Sequence, residues 1–210
     1  MKKIIFDGDG TLYDSGHGIK VSANYALKTH GYATFPIDKM DFFVGPPLYD
    51  CFRLCHVKEE DLDKVVTTYQ TYQKENALYD LTLYDSVKKV LVELKQRGYL
   101  IYLGTSRRQS IGVDLLNHLM LLPLFDSAFG GSEDGLHCSK EDVIKKVMEN
   151  TPVCEKSFMV GDTKFDILAG KKYNLKTIAC LYGYGNKKEI EEAKPNFSIS
   201  HFADILSIAL

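Results

Sequence analysis

Four short apolar runs, each closed by glycine or polar residues, constrain this chain more than any other feature. They are Lys3-Ile4-Ile5-Phe6 running into Asp7, Leu100-Ile101-Tyr102-Leu103 into Gly104-Thr105-Ser106, Phe158-Met159-Val160 into Gly161-Asp162, and Thr177-Ile178-Ala179-Cys180-Leu181 into Tyr182-Gly183. Their residues are apolar in succession rather than alternating, the pattern of parallel strands covered on both faces. Between them the period becomes helical. Val87, Val90, Leu91 and Leu94 recur at i, i+3, i+4 and i+7 with Gly98 as a stop, and Asp142–Met148 and Ile167–Tyr173 read similarly. This alternation predicts an α/β fold, a doubly wound parallel sheet with helices on both faces.

One stretch breaks the alternation. From Asp14 to Thr82 the pattern is helical only, with Ile19, Ala23, Ala26 and Leu27 on one stripe and Leu62, Val65, Val66, Tyr69 and Tyr72 on another. Gly45-Pro46-Pro47 interrupts them. The expected organisation is a core of residues 1–13 and 83–210 and a helical cap of residues 14–82, set on the sheet's C-terminal edge.

The 210 residues suit one domain with an inserted module, enough to bury a real core. A net charge of −2 argues against a basic nucleic-acid-binding face. No apolar run approaches the roughly 20 residues of a membrane span, and the N-terminus lacks the roughly 7–15 apolar residues of a signal peptide. A cytoplasmic protein, monomer or homodimer, is expected. Cys51, Cys55, Cys138, Cys154 and Cys180 are scattered and odd in number, and read as buried reduced thiols rather than a zinc set.

Ligands of open parallel sheets bind beyond the carboxyl ends of the strands. There the sequence places Asp7 and Asp9 after the first run, Thr105 and Ser106 after the second, and Asp162 after the third, with Asp166 four residues on and therefore on the same helix face, and Lys140 opening a helix between. Singly, these are also turn formers, helix caps or surface charge. Together they bring several carboxylates to one edge, where they repel unless a cation joins them. Mg²⁺, a hard ion that takes oxygen ligands, suits such a set.

Asp7-Gly8-Asp9-Gly10-Thr11-Leu12 resembles the DxDGT[LV] signature of the haloacid dehalogenase superfamily of phosphatases. Thr105 resembles its second motif, Lys140 its third, and Gly161-Asp162-Thr163-Lys164-Phe165-Asp166 its fourth, in order along the chain. Gly45-Pro46-Pro47-Leu48, Gly131-Ser132-Glu133-Asp134-Gly135 and Tyr182-Gly183-Tyr184-Gly185 are similar to the phosphoglycolate phosphatase-like branch, which also holds 5′-nucleotidases. The resemblance implies Asp7 as nucleophile, Asp9 as general acid and base, Thr105 as a donor to the phosphoryl group, and Lys140 as charge balance. It implies a Mg²⁺ site at Asp7, Asp162 and Asp9, the last through its backbone carbonyl, with Asp166 at the metal's water shell or orienting Lys140, and a small phosphorylated metabolite as substrate.

Backbone N–H groups around Gly8 and Ser106 would complete a phosphate cradle. Gly45 and Arg53, with Lys58, are candidate cap contacts to substrate, and Tyr13 and His17 candidate entrance residues. Gly8 stands where the family usually has a bulky apolar residue, which suggests added backbone flexibility. The alternatives are a phosphosugar mutase of the same subclass or, from another class, a phosphoacceptor receiver domain. Receivers lack the helical insertion, and their Lys follows the last strand.

Overall fold

A computed structural model describes residues 1–133 and 139–208. The chain divides into two compact units, Met1–Tyr13 with Leu83–Leu210, and Asp14–Thr82. Two short strands, β2 (Tyr13–Asp14) and β3 (Thr82–Leu83), lie where the chain passes from one unit to the other.

The first unit is a six-stranded parallel sheet of β1 (Lys2–Phe6), β4 (Tyr99–Arg108), β5 (Ser127–Gly131), β6 (Lys156–Gly161), β7 (Lys176–Cys180) and β8 (Phe197–Ile199), in the order β5-β4-β1-β6-β7-β8. Every pairing is parallel. Helices α4 (Val87–Gln96), α5 (Gln109–His118), α6 (Lys140–Asn150), α7 (Lys164–Lys172), α8 (Lys187–Ala193) and the short α9 (Ile205–Ile208) connect and follow these strands. This is the doubly wound α/β fold. The centre of β1 explains itself: Ile4, Ile5 and Phe6 are fully buried. Burying such side chains stabilises the fold by about 1.5–3 kcal/mol each, and a strand this apolar is at home only between two layers.

β5 and β8 are strands that the apolar runs do not announce. Both are edge strands, built as SAFGG and FSI with exposed first residues, so neither carries a continuous apolar signature. β4 is also longer than its apolar run. It continues through Thr105-Ser106 to Arg108, with a register irregularity against β5 between Thr105 and Arg108. Thr105 therefore lies within a strand and not after one. The helix boundaries follow local chemistry. Gly98, at φ +77°, terminates α4, and the Ser139 hydroxyl accepts a hydrogen bond from Asp142 N–H at the start of α6.

The order of the sheet decides where a ligand can sit. From β1 the chain builds outward through β4 and β5, then returns to the other side of β1 for β6, β7 and β8. The reversal point is the carboxyl end of β1.

The second unit is helical: α1 (Gly16–Thr29), α2 (Leu48–Leu54) and α3 (Leu62–Tyr72), with short turns between and a π-helical turn over Gln73–Ala77. The two stripes meet here. Ile19, Ala23, Ala26 and Leu27 are buried with Leu62, Val65, Val66 and Tyr69. Tyr25 stacks on Tyr72 with ring centroids 4.0 Å apart, and Phe43, Phe52 and Tyr69 follow one another edge to face. Cys51 and Cys55 are buried and free within this unit, as Cys180 is in the sheet; Cys154 is half-buried, and Cys138 lies outside the described residues. So do Asp134 and Gly135. Among the described residues no helix is long and apolar enough to cross a membrane.

Candidate active site

Asp7 stands at the reversal point, its backbone N–H donating to Val160 O at 2.9 Å as the ladder with β6 ends. The chain then turns tightly, and Gly8 O accepts hydrogen bonds from Thr11 N at 3.1 Å and Leu12 N at 2.8 Å. Gly10 adopts φ +73° within this turn, and a Cβ there would fall 2.2 Å from Asp162 Oδ2. Only glycine allows the first loop to approach the acid at the end of β6 this closely.

Asp162 is almost fully buried; its Oδ2 accepts from Tyr184 N–H at 2.8 Å and its Oδ1 lies 3.4 Å from Thr11 Oγ1. Asp162 and Asp166 do not share a helix face, as their spacing suggests, because α7 starts only at Lys164. A capping box between Thr163 and Asp166 brings Asp166 back towards Asp162 instead. Thr163 N–H and Oγ1 donate to Asp166 Oδ2 at 3.0 and 2.7 Å, folding the third helical residue back beside the strand end.

Asp166 Oδ1 is then 3.0 Å from Lys140 Nζ, the side chain that opens α6. Lys140 Nζ also donates to Asp7 Oδ1 at 2.5 Å and to Gly104 O at 2.8 Å. The ammonium thus has three oxygen neighbours for its three protons. Carboxylate oxygens of Asp7, Asp162 and Asp166 lie within 4.8 Å of one another, all buried.

One cation among three buried carboxylates leaves negative charge in excess. Burial pushes the Asp7 carboxyl up to about 7, with Lys140 opposing and Asp166 adding to the rise. Burial also raises the Asp162 carboxyl well above the usual range, helped by Asp166 and then Asp7. Burial would lower the Lys140 ammonium, but Asp166 and Asp7 outweigh it and hold its pKa above the ordinary lysine value. An all-oxygen, over-charged and buried donor set fits a hard divalent cation.

Thr105 is buried, and its Oγ1 accepts from Arg107 N–H at 3.2 Å. Ser106 is half-buried in the same irregular end of β4. Asp9 does not join the acidic cluster with its carboxylate. It forms a two-pronged ion pair with Arg107, Nε to Oδ2 and Nη2 to Oδ1, both at 2.7 Å. Arg107 is the functional candidate that the sequence reading missed. Its signal was a cation two residues past Thr105, on the edge that carries Asp9, and the irregular end of β4 aims it inward. The loop after β7 was also undervalued, since Tyr184 N–H holds Asp162 and Tyr182 Oη donates to Thr11 O at 2.9 Å.

In the helical unit, Gly45 has φ +107° in the turn that leads into α2. The Arg53 guanidinium is already taken up by Asp50 at 2.9 Å and Glu59 at 2.7 Å, which raises its pKa. Lys58 is 3.8 Å from Glu60, and His17 pairs with Asp80 at 2.5 Å. Tyr13, expected at an entrance, is fully buried.

The sequence model of the family described as haloacid dehalogenase-like hydrolase matches residues 4–180, from β1 through β7. The chain belongs to this family. Two relatives match nearly end to end. A 5′-nucleotidase of Pseudomonas aeruginosa is 27% identical over 207 residues, covering 98% of this chain and 94% of that protein. A phosphoglycolate phosphatase of Aquifex aeolicus is 26% identical over 211 residues, covering 99% and 96%. Among solved structures, a predicted phosphatase from Clostridium acetobutylicum superposes with a TM-score of 0.92 at 30% identity, covering 99% of this chain and 97% of that one. The parallel-sheet α/β architecture described above is thus that of a haloacid dehalogenase-like fold.

Proposed function

We propose that this chain is a Mg²⁺-dependent phosphatase of small phosphomonoesters that works through an aspartyl-phosphate. The observation that carries the reading is the Asp7–Lys140–Asp166 ion-pair chain, with Asp162 beside it, at the sheet's reversal point. Asp7, Asp162 and Asp166 would hold the cation, which supplies charge neutralisation for the phosphoryl group and keeps Asp7 ionised.

The steps belong to the chain's own residues. An Asp7 carboxylate oxygen attacks phosphorus, the bond from phosphorus to the ester oxygen breaks, and Asp9 gives that oxygen its proton. Asp9 then takes a proton from water as the water attacks phosphorus, the acyl-phosphate bond breaks, and inorganic phosphate leaves. Thr105 Oγ1 and the backbone N–H groups near Gly8 and Ser106 hold the phosphoryl oxygens. Arg107 orients Asp9, and must release it before Asp9 carries a proton.

On substrate, the phosphoglycolate phosphatase-like reading stands first, supported by the motif resemblance and the Aquifex relative. A nucleoside monophosphate is the second reading, supported by the Pseudomonas relative and by Arg53, whose charge is neutralised locally and is not free to read a substrate carboxylate. Hydrolysis of p-nitrophenyl phosphate is expected to vanish with EDTA and return with Mg²⁺. Activity fully retained after metal removal would refute the metal dependence. A panel of phosphoglycolate, nucleoside monophosphates, sugar phosphates and pyrophosphate then separates the two substrate readings by kcat/KM.

A pH prediction follows from the acids. Folding raises the Asp7 and Asp162 carboxyls, so their contribution to stability is fully present below the unfolded carboxyl range and is lost as pH rises through about 7 for Asp7. The loss is at most about 4 kcal/mol for Asp7, since a tenfold change in proton affinity is worth about 1.4 kcal/mol. Mg²⁺ competes with those protons. The rise in melting temperature on adding MgCl₂ to EDTA-treated protein is expected to be larger at pH 8 than at pH 5. An equal or smaller rise at pH 8 would contradict the assignment of the cluster.

A further inference from the structure

Three buried side-chain polar atoms of the described residues have no hydrogen-bond partner: Tyr13 Oη, Tyr99 Oη and Asp166 Oδ1. Asp166 Oδ1 has Lys140 Nζ 3.0 Å away, and Tyr99 opens β4, five residues before Gly104. Tyr13 Oη lies beside the acids. Tyr13 is fully buried, and Asp9, Arg107 and Asp7 all act electrostatically on its hydroxyl.

Its position is tied to the unusual residue of the first motif. A Cβ built on Gly8 would meet Tyr13 Oη at 2.4 Å and Tyr13 Cζ at 2.9 Å, so any larger residue at position 8 would have to displace the ring. The absence of a side chain at Gly8 therefore makes room for the Tyr13 ring. The tyrosine ring, from five residues downstream, lies where a side chain at position 8 would point, and brings a hydroxyl that an apolar side chain would lack. That hydroxyl lies against Gly8, the residue that joins the nucleophile and the acid proposed above.

We propose that the Tyr13 hydroxyl is a substrate ligand that donates a hydrogen bond to a phosphoryl oxygen of the bound ester. The proposal rests on the phosphatase reading above. A buried hydroxyl without a partner is costly, and it recovers that cost only when a ligand brings an acceptor. A phosphoryl dianion brought to Asp7 offers acceptors at this spot. The free protein tolerates the orphan because the bond is made with substrate, which is how a preorganised donor favours the reaction.

The test is Tyr13→Phe, which keeps the ring over Gly8 and removes only the oxygen. With Mg²⁺ present, kcat/KM for p-nitrophenyl phosphate is expected to fall roughly 10- to 100-fold, and affinity for inorganic phosphate, measured by calorimetry, roughly tenfold. The melting temperature of the ligand-free variant is expected to be unchanged or higher, because an unsatisfied polar group has gone. A purely structural tyrosine predicts the reverse pairing: intact phosphate affinity and unchanged kcat/KM.

That result in an active wild type would overturn the ligand role and leave the phosphatase reading standing. A wild type that hydrolyses no phosphoester and binds no phosphate would overturn both. Gly8→Ala is the second variant. It pushes the ring and its hydroxyl away, and is expected to lose phosphate affinity as Tyr13→Phe does; full affinity in a folded Gly8→Ala protein would also overturn the role.

Discussion

Asp7→Asn is expected to lower kcat by about 10⁴-fold or more while leaving the protein folded. The amide has the shape of the carboxylate but cannot form the acyl-phosphate, so the effect falls on chemistry. The electrostatics make the stability outcome equally specific. Asp7 is charged in the fold only against burial and against Asp166, and Lys140 only partly offsets this. Removing that charge relieves the cluster, and Lys140 keeps Asp166 as its partner at 3.0 Å. The metal-free variant is therefore expected to melt at or above the wild-type temperature at pH 8, where the wild-type carboxyl is ionised. Wild-type protein mixed with substrate and quenched in acid should yield a phosphorylated protein species, and the variant none. Substantial turnover by Asp7→Asn, or an equal phosphoprotein yield from it, would remove Asp7 from the role of nucleophile.

What could be read from the sequence divides along a physical line. Central strands and their acids were legible because burial on two faces forces continuous apolar runs, and a chain that ends such runs in Asp7 and Asp162 marks its own ligand edge. The edge strands β5 and β8 were not, since half-exposed short strands need no such composition. The nearness of Asp166 to Asp162 was anticipated for the wrong reason. Helical periodicity suggested it, whereas a Thr163–Asp166 capping box produces it. Arg107 escaped because its role depends on the irregularity that re-aims the end of β4, and a two-residue offset in sequence does not state a direction in space. Tyr13 was placed only at an entrance for a related reason: it reaches the space beside Gly8 through a tight turn rather than through strand or helix spacing. Strand ends could be read from composition, while side chains delivered by turns and bulges could not.

Lys140→Met is expected to be the most destabilising single change in the site, because it removes the one cation that faces two buried acids. The methionine fills a similar volume, so the lost packing is small and the cost is mostly charge left unpaired. Breaking a buried pair in this way costs about 3–5 kcal/mol, or roughly 10 °C in melting temperature for a chain of this length.

The pH dependence distinguishes this from a general packing defect. Without Lys140, the Asp7 carboxylate faces Asp166 with nothing to offset it, so the deficit should be larger at pH 8 than at pH 5, where protonation of Asp7 relieves it. Adding Mg²⁺ should recover part of it at pH 8. Arginine is not expected to rescue. Asp7 Oδ1, Gly104 O and Asp166 Oδ1 surround a single nitrogen at 2.5, 2.8 and 3.0 Å, which suits an ammonium and gives no room for a planar fork. A Lys140→Met protein whose deficit is independent of pH, or a Lys140→Arg protein with wild-type stability and kcat, would show that the ion-pair chain does not organise this site.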